Sequence, residues 1–139
     1  MAVGPSLRQL HAHQAIHDGG LSGAISKTAD FINASKTGDT EQINIVLDDL
    51  LDYWETRIIG HADSEEDGFY QELVEHNPSL QETVTKLIRD HDLLKIIVAD
   101  IYKLRETEGL SGEILPKLQA LIVVNGIHSR DEERLLFGN

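Results

Sequence analysis

The sequence predicts an all-α fold, an up-down-up-down antiparallel four-helix bundle, with residues 1–139 forming one domain. Three observations carry this reading. Apolar residues recur at three- and four-residue steps along the chain, the pattern of amphipathic helices. No stretch shows the sustained apolar–polar alternation of a strand. Clear breaks fall at residues 35–39, 77–79 and 109–112, leaving four segments of roughly 25–35 residues joined by short turns.

Ser6 is the expected N-cap of the first helix. Leu7, Leu10, Gln14, His17, Leu21, Ala24, Thr28 and Phe31 trace its buried seam. Gly19, Gly20 and Gly23 interrupt it, each costing roughly 1 kcal/mol of helix propensity. They read either as a close approach of another helix or a path for a small molecule beside His17, or as a kink or break there. Gly38 stops this helix, and Asp39 or Thr40 caps the next. The second seam runs Ile43, Leu47, Leu50, Trp54, Ile58, His61 and Glu65, continuing past Gly68 to about His76. Asn77-Pro78-Ser79 is a firm break, with Pro78 or Ser79 opening the third helix. Leu80, Val84, Leu87, His91, Leu94, Val98 and Ile101 form the third seam. The fourth helix begins between Gly112 and Pro116 and presents Leu118, Leu121, Asn125, His128, Glu132 and Leu135.

The seams turn polar in mid-run. His61 and Glu65 are one turn apart on one face, and His128 and Glu132 repeat that arrangement. Such groups in a buried seam are costly unless something satisfies them. Counting from the turns places them along the bundle axis. His17 stands about 19 residues before the first turn and His61 about 21 after it, at a rise of about 1.5 Å per residue. Glu65 lies about 11 before the second turn and His91 about 12 after it. His91 is about 17 before the third turn, with His128 and Glu132 about 15 and 19 after it. All six residues therefore fall in one layer of the core, a coincidence that helix formation does not require.

Four imidazoles and two carboxylates select divalent first-row metals and suit a pair of iron ions. The reading places His17 and His61 on one metal, His91 and His128 on the other, and Glu65 and Glu132 as bridges. His13, one turn before His17 and near the same face, is the alternative ligand or an outer partner; seam position favours His17. Glu133 is the alternative bridge, and register favours Glu132. His11 and His76 are expected in solvent, and Trp54 in ordinary core.

Composition excludes other chemistry. With no cysteine, the chain can hold no disulfide, zinc–thiolate site or iron–sulfur cluster. Its formal charge of −12 repels nucleic-acid backbones and anionic lipid surfaces. No apolar run approaches a membrane span, and the first residues lack the regions of a signal peptide. A cytoplasmic protein that binds neither nucleic acid nor membrane is expected.

The motifs His61-x-x-x-Glu65, Arg89-Asp90-His91-Asp92 and His128-Ser129-Arg130-Asp131-Glu132-Glu133, with a His on the first helix, resemble the hemerythrin-like HHE cation-binding domain family. The resemblance covers essentially the whole chain and fits the subgroup with four His and two Glu. It implies a four-helix bundle holding two non-haem iron ions with an oxo- or hydroxo-type bridge. It also implies a role in binding or sensing dioxygen, nitric oxide or peroxide, or in iron homeostasis. The oxygen-carrying hemerythrins have a second His four residues along the third helix, where this chain has Lys95, and an Asp five residues after the fourth-helix His, where it has Glu133. The missing His leaves an iron more open to water, peroxide or a further ligand such as Glu66 or Tyr70.

Other functions fit less well. His91-Asp92-Leu93-Leu94-Lys95 approximates the His-x-x-Lys-Gly of phosphotransfer modules, but the Lys is one residue late, no Gly follows, and the His lies in a buried seam. Ferritin-like oxidases use Glu-x-x-His pairs, and no His here has a Glu three residues before it. A purely structural bundle would keep Leu at positions 61, 91 and 128. A catalase- or oxidase-like di-iron enzyme needs an acid–base group, for which Lys95 and Tyr70 are the candidates. A sensor of this kind is expected to act through a separate partner protein.

Overall fold

The computed structural model describes residues 5–137, with side chains from residue 12 onward. Four long helical segments account for nearly all of them. Helix α1 is Pro5–Ser35. Helix α2, residues 40–76, joins the α-helical runs Thr40–Tyr53, Gly60–Ser64 and Tyr70–His76 through π-helical stretches at Trp54–Ile59 and Glu65–Phe69. Helix α3, residues 78–108, opens with a 3₁₀ turn at Pro78–Leu80 and continues as Gln81–Glu108. Helix α4, residues 114–137, is α-helical over Ile114–Glu132 and π-helical over Glu133–Phe137. α1 packs against α2 and α4, and α3 packs against α4 and α2. This is the cyclic order of an up-down-up-down bundle, as the sequence predicts.

The helix ends follow local chemistry. α1 is already helical at Pro5, so Ser6 lies inside it and is not its cap; the side chains of Ser6, Leu7, Leu10 and His11 lie outside the described residues. Gly38 takes φ 72° in the first turn, and the Asp39 carboxylate accepts from the Gln42 N–H at 3.2 Å. Asn77 caps α3 by accepting from Ser79 N–H at 3.2 Å. Gly109, also at φ 72°, ends it.

The core has two apolar parts. The larger gathers Leu47, Leu50, Leu51, Trp54, Leu94, Val98, Ile101, Leu118 and Leu121. The smaller is Tyr70, Val84 and Leu87, with Phe69, Ile88 and Leu136 against it. Between them on α3 stands His91, and on α2 Glu65, so a polar layer separates the two.

The π turns are a departure from the uniform α-helices expected, and they re-aim the seams. Five residues rotate an α-helix by about 140°, so Glu65 and Tyr70 could not both face the core of a regular α2. The wide i→i+5 turn aligns them, and both are buried. The same device corrects the end of the fourth seam. Leu135, expected inside, is exposed. Leu136 joins the smaller cluster instead, and Phe137 stacks on Phe69 with centroids 5.5 Å apart.

α1 runs through its glycines without a break, so the close-approach reading holds, and it rests on one of them. A Cβ on Gly23 would lie 2.1 Å from the Tyr53 hydroxyl, which donates to the Gly20 carbonyl at 2.8 Å. Gly19 and Gly20 have ordinary space. Gly23→Ala is therefore expected to destabilise by about 1 kcal/mol, because overpacking and the lost hydrogen bond outweigh the gain in helix propensity. In a Tyr53→Ala background the same change should stabilise by about 1 kcal/mol. Denaturant melts of the four proteins would check this; equal effects in both backgrounds would refute it.

Candidate metal centre

Each helix contributes to the polar layer: α1 brings His13 and His17, α2 His61 and Glu65, α3 His91, and α4 His128 and Glu132. The four deepest, Glu65, His91, His128 and Glu132, are at most 3% exposed. Their ligand atoms lie within 4.8 Å of one another, and so do those of His13, His17, His61 and Glu65. The layer thus contains two adjacent groups that share Glu65.

The two carboxylates divide their oxygens between these groups. Glu65 Oε2 is 3.3 Å from His61 Nε2, 3.5 Å from His13 Nδ1 and 3.8 Å from His17 Nε2. Its Oε1 is 3.6 Å from His91 Nε2. Glu132 mirrors this, with Oε1 3.2 Å from His17 Nε2 and Oε2 3.7 Å from His128 Nε2. The Tyr70 hydroxyl donates to that second oxygen.

The far sides of several imidazoles are held by carboxylates. His91 Nδ1 donates to Glu66 at 2.7 Å, and His128 Nδ1 to Asp90 at 3.0 Å. Glu133 stands 3.7 Å behind His17 Nδ1 and accepts from Gln14. An ionised carboxylate only accepts, so Nδ1 of His91 and of His128 carries the proton. Both Nε2 lone pairs then point inward, and the structure sets them 3.1 Å apart. Two lone pairs at that distance repel unless a cation is shared between them. An outer carboxylate that fixes the tautomer of a His is also the usual support of a metal-binding imidazole.

Unsatisfied atoms point the same way. His13 Nδ1, His61 Nε2, Glu65 Oε2 and Glu132 Oε1 are buried without a hydrogen-bond partner among the described residues. Buried polar atoms normally have one. These converge on a common space while failing to bond one another, as expected of ligands aimed at an ion. Nitrogen and oxygen donors of this kind fit iron.

Burial and charge shift the protonation of these groups. The nearby carboxylates of Glu132 and Glu65 push the His13 pKa up to about 9. Burial works to raise that of Glu65, but the contacts with His13, His17 and His61 hold it far below the usual carboxylate range. Burial, then the charge of His128, lowers His91, against the pull of Glu66. The Tyr70 phenol is pushed strongly upward by burial and by the neighbouring carboxylates, so it acts as a hydrogen-bond donor and stays protonated.

All six residues named from the sequence, His17, His61, Glu65, His91, His128 and Glu132, are brought into this layer. His13 stands there beside His17, where the sequence set the two as alternatives. Their i, i+4 spacing was the signal for both. Two other expectations change. Glu66 faces the back of His91 and Tyr70 faces Glu132, so both support the first layer of donors and neither reaches inward as one of them. The outer role of Asp90 was not foreseen, since it depends on which neighbour of His91 turns toward α4. His76 is exposed, with Nδ1 against the Glu72 carbonyl.

Within the layer is a cavity of about 20 Å³, lined by His17, His61, Glu65, His91 and His128 together with residues such as Ile58, Leu94 and Asn125. That is room for a molecule about the size of water. Among the described residues, no helix is long and apolar enough to cross a membrane.

A four-helix bundle with a buried double cluster of imidazoles and carboxylates is a protein built to hold cations in its core. Residues 9–139 match the profile of the family described as Hemerythrin HHE cation binding domain, and the chain belongs to that family. No curated protein and no solved structure matches it in the same comparisons.

Proposed function

We propose that the chain is a di-iron protein that binds a small molecule, dioxygen, nitric oxide or peroxide, at its metal centre. The observation that carries this reading is the division of Glu65 and Glu132, each with one oxygen toward each group of imidazoles. His13, His17 and His61 would hold one ion, His91 and His128 the other, with the two carboxylates spanning both. When bound, the iron supplies open coordination positions and reversible redox chemistry. The protein's own part is positional. Glu66 and Asp90 fix imidazole tautomers, Tyr70 holds Glu132 by a hydrogen bond, and apolar residues from Ile58 to Leu94 limit water around the cavity.

Binding is placed ahead of turnover. Lys95 is tied to Asp63 at 2.8 Å, and Tyr70 is held protonated against Glu132, so neither acid–base candidate is poised for proton transfer. A phosphotransfer role is disfavoured because His91 is buried and its Nδ1 is held by Glu66.

The test is metal content with the visible spectrum, before and after air or peroxide. About two iron ions per chain, with charge-transfer bands that change on oxidation, are expected of such a paired site. Failure to take up ferrous iron under anaerobic reconstitution would overturn the reading.

A further inference from the structure

A groove lies outside the metal layer, between the end of α2 and the start of α3, with a volume of about 530 Å³. Its floor is apolar. Tyr70, Val74, Val84 and Ile88 form it, and the same side chains belong to the smaller core cluster. Its rim is acidic, with Glu66 and Asp67 toward one end and Glu75 toward the other. Nine residues separate Glu66 from Glu75, about 13 Å along a helix. Among the described residues no Lys or Arg enters the wall, and neither Asp67 nor Glu75 forms an ion pair. The α3 lysines nearest the groove in sequence, Lys86 and Lys95, are turned to Glu82 and Asp63 instead.

Charge and shape together define the occupant. Carboxylates at both ends of the rim call for cations about two turns of helix apart, and the floor between them calls for branched apolar side chains. A helix with Lys or Arg at i and i+7, about 11 Å apart, and Leu or Ile at i+3 and i+4 presents both from one face. A linear polyamine would match the charges but cover little of the floor.

The groove also meets the metal layer from behind. Its wall residue Glu66 accepts from His91 at 2.7 Å, and the hydroxyl of Tyr70 donates to Glu132. We infer that this face docks a basic, amphipathic helix of a partner protein and, resting on the di-iron reading, that docking and iron loading oppose each other. Cations in the groove draw on the charge of Glu66, which otherwise serves His91. Metal ions held by His91 and Glu132 weaken the negative potential of the same rim. Linkage makes the effect reciprocal, so each event weakens the other by the same factor. The partner thereby reads whether the centre is filled.

The probe is a fluorescein-labelled helical peptide with Lys at i and i+7 and Leu at i+3 and i+4, followed by anisotropy on the full chain, metal-free and iron-loaded. Control peptides carry Ser for Leu or Glu for Lys. Asp67→Lys with Glu75→Lys reverses two exposed rim charges, and Glu106→Lys with Glu108→Lys makes the same change in net charge at the opposite end of α3. Melting and iron content are recorded first for each protein. The rim variant is expected to bind the peptide about tenfold or more weakly than wild type, and the distal variant within about threefold. Both control peptides should bind wild type about tenfold or more weakly than the probe. Loaded wild type should bind the probe about fivefold or more weakly than the metal-free form. Absence of binding, or equal losses in the rim and distal variants, would overturn the docking surface. Displacement of the peptide by spermidine at equal concentration would overturn the protein partner in favour of a small polycation. Equal affinity with and without bound iron would overturn the coupling alone. Wild type that takes up no iron would overturn the di-iron reading, while the rim and distal variants would still decide the docking surface on metal-free protein.

Discussion

Loading the metal-free chain with ferrous iron should raise its melting temperature by roughly 15 °C. The ion binds the folded state, in which the ligands are assembled, and scarcely binds the unfolded chain. Free metal at about a thousand times its dissociation constant then adds about 4 kcal/mol. A chain of this length moves by roughly 3–5 °C for each kcal/mol. The metal-free state is also poorly satisfied. Two buried carboxylates and the imidazoles around them have only one another, and four of their inward atoms have no hydrogen bond among the described residues. pH should expose that compensation. The His13 pKa is raised to about 9 by Glu132 and Glu65. Its contribution is full below the unfolded value near 6.5 and is lost as pH rises through about 9. The metal-free protein should therefore lose melting temperature across that window. The loaded protein should not, because the ion replaces the proton as the partner of both carboxylates. Differential scanning calorimetry with and without chelator, from pH 6 to 9.5, would check both claims. A chelator that leaves melting unchanged at every pH would defeat them.

The sequence discloses the bundle because its signals are local and repeated. A leucine every third or fourth position fixes which face is buried, and Gly38, Asn77 and Gly109 fix where each helix ends. Counting from those ends is enough to bring His17, His61, Glu65, His91, His128 and Glu132 to one level, because the rise of a helix is nearly constant. What escapes is anything finer than a turn. A π turn leaves no mark in composition, yet it decides that Tyr70 reaches Glu132 and that Leu136, not Leu135, faces inward. The pairing of Asp90 with His128 and of Glu66 with His91 depends on rotamers across two helices. His13 illustrates the remaining gap. Sequence register could rank it below His17, but only the spatial arrangement shows that the two reach the same carboxylates through different ring atoms.

Replacing either shared carboxylate should abolish uptake of the metal pair, the largest single-residue effect expected in this protein. Glu65 and Glu132 each lie within 3.8 Å of imidazoles from both groups. Losing one therefore removes a donor from both ions and the charge that offsets them. Glu65→Ala and Glu132→Ala should each fall from about two iron ions per chain to well below one, as expected where one group serves a two-metal site. Glu132→Gln separates function from folding. It keeps the shape and an oxygen to accept from Tyr70, but removes a fully buried charge whose desolvation the metal-free protein must otherwise bear. Its metal-free melting temperature should equal or exceed that of the metal-free wild type, while the rise on adding iron disappears. His76→Ala is the control, since that ring is exposed and, among the described residues, bonded only to its own helix; its iron content and melting should match wild type. Metal analysis paired with thermal melts would decide the matter. Retention of two irons by Glu132→Ala would mean that the ions sit elsewhere than between the two groups. Loss of the metal-free fold in Glu132→Gln would mean that the carboxylate is there to hold helices together and not to hold a metal.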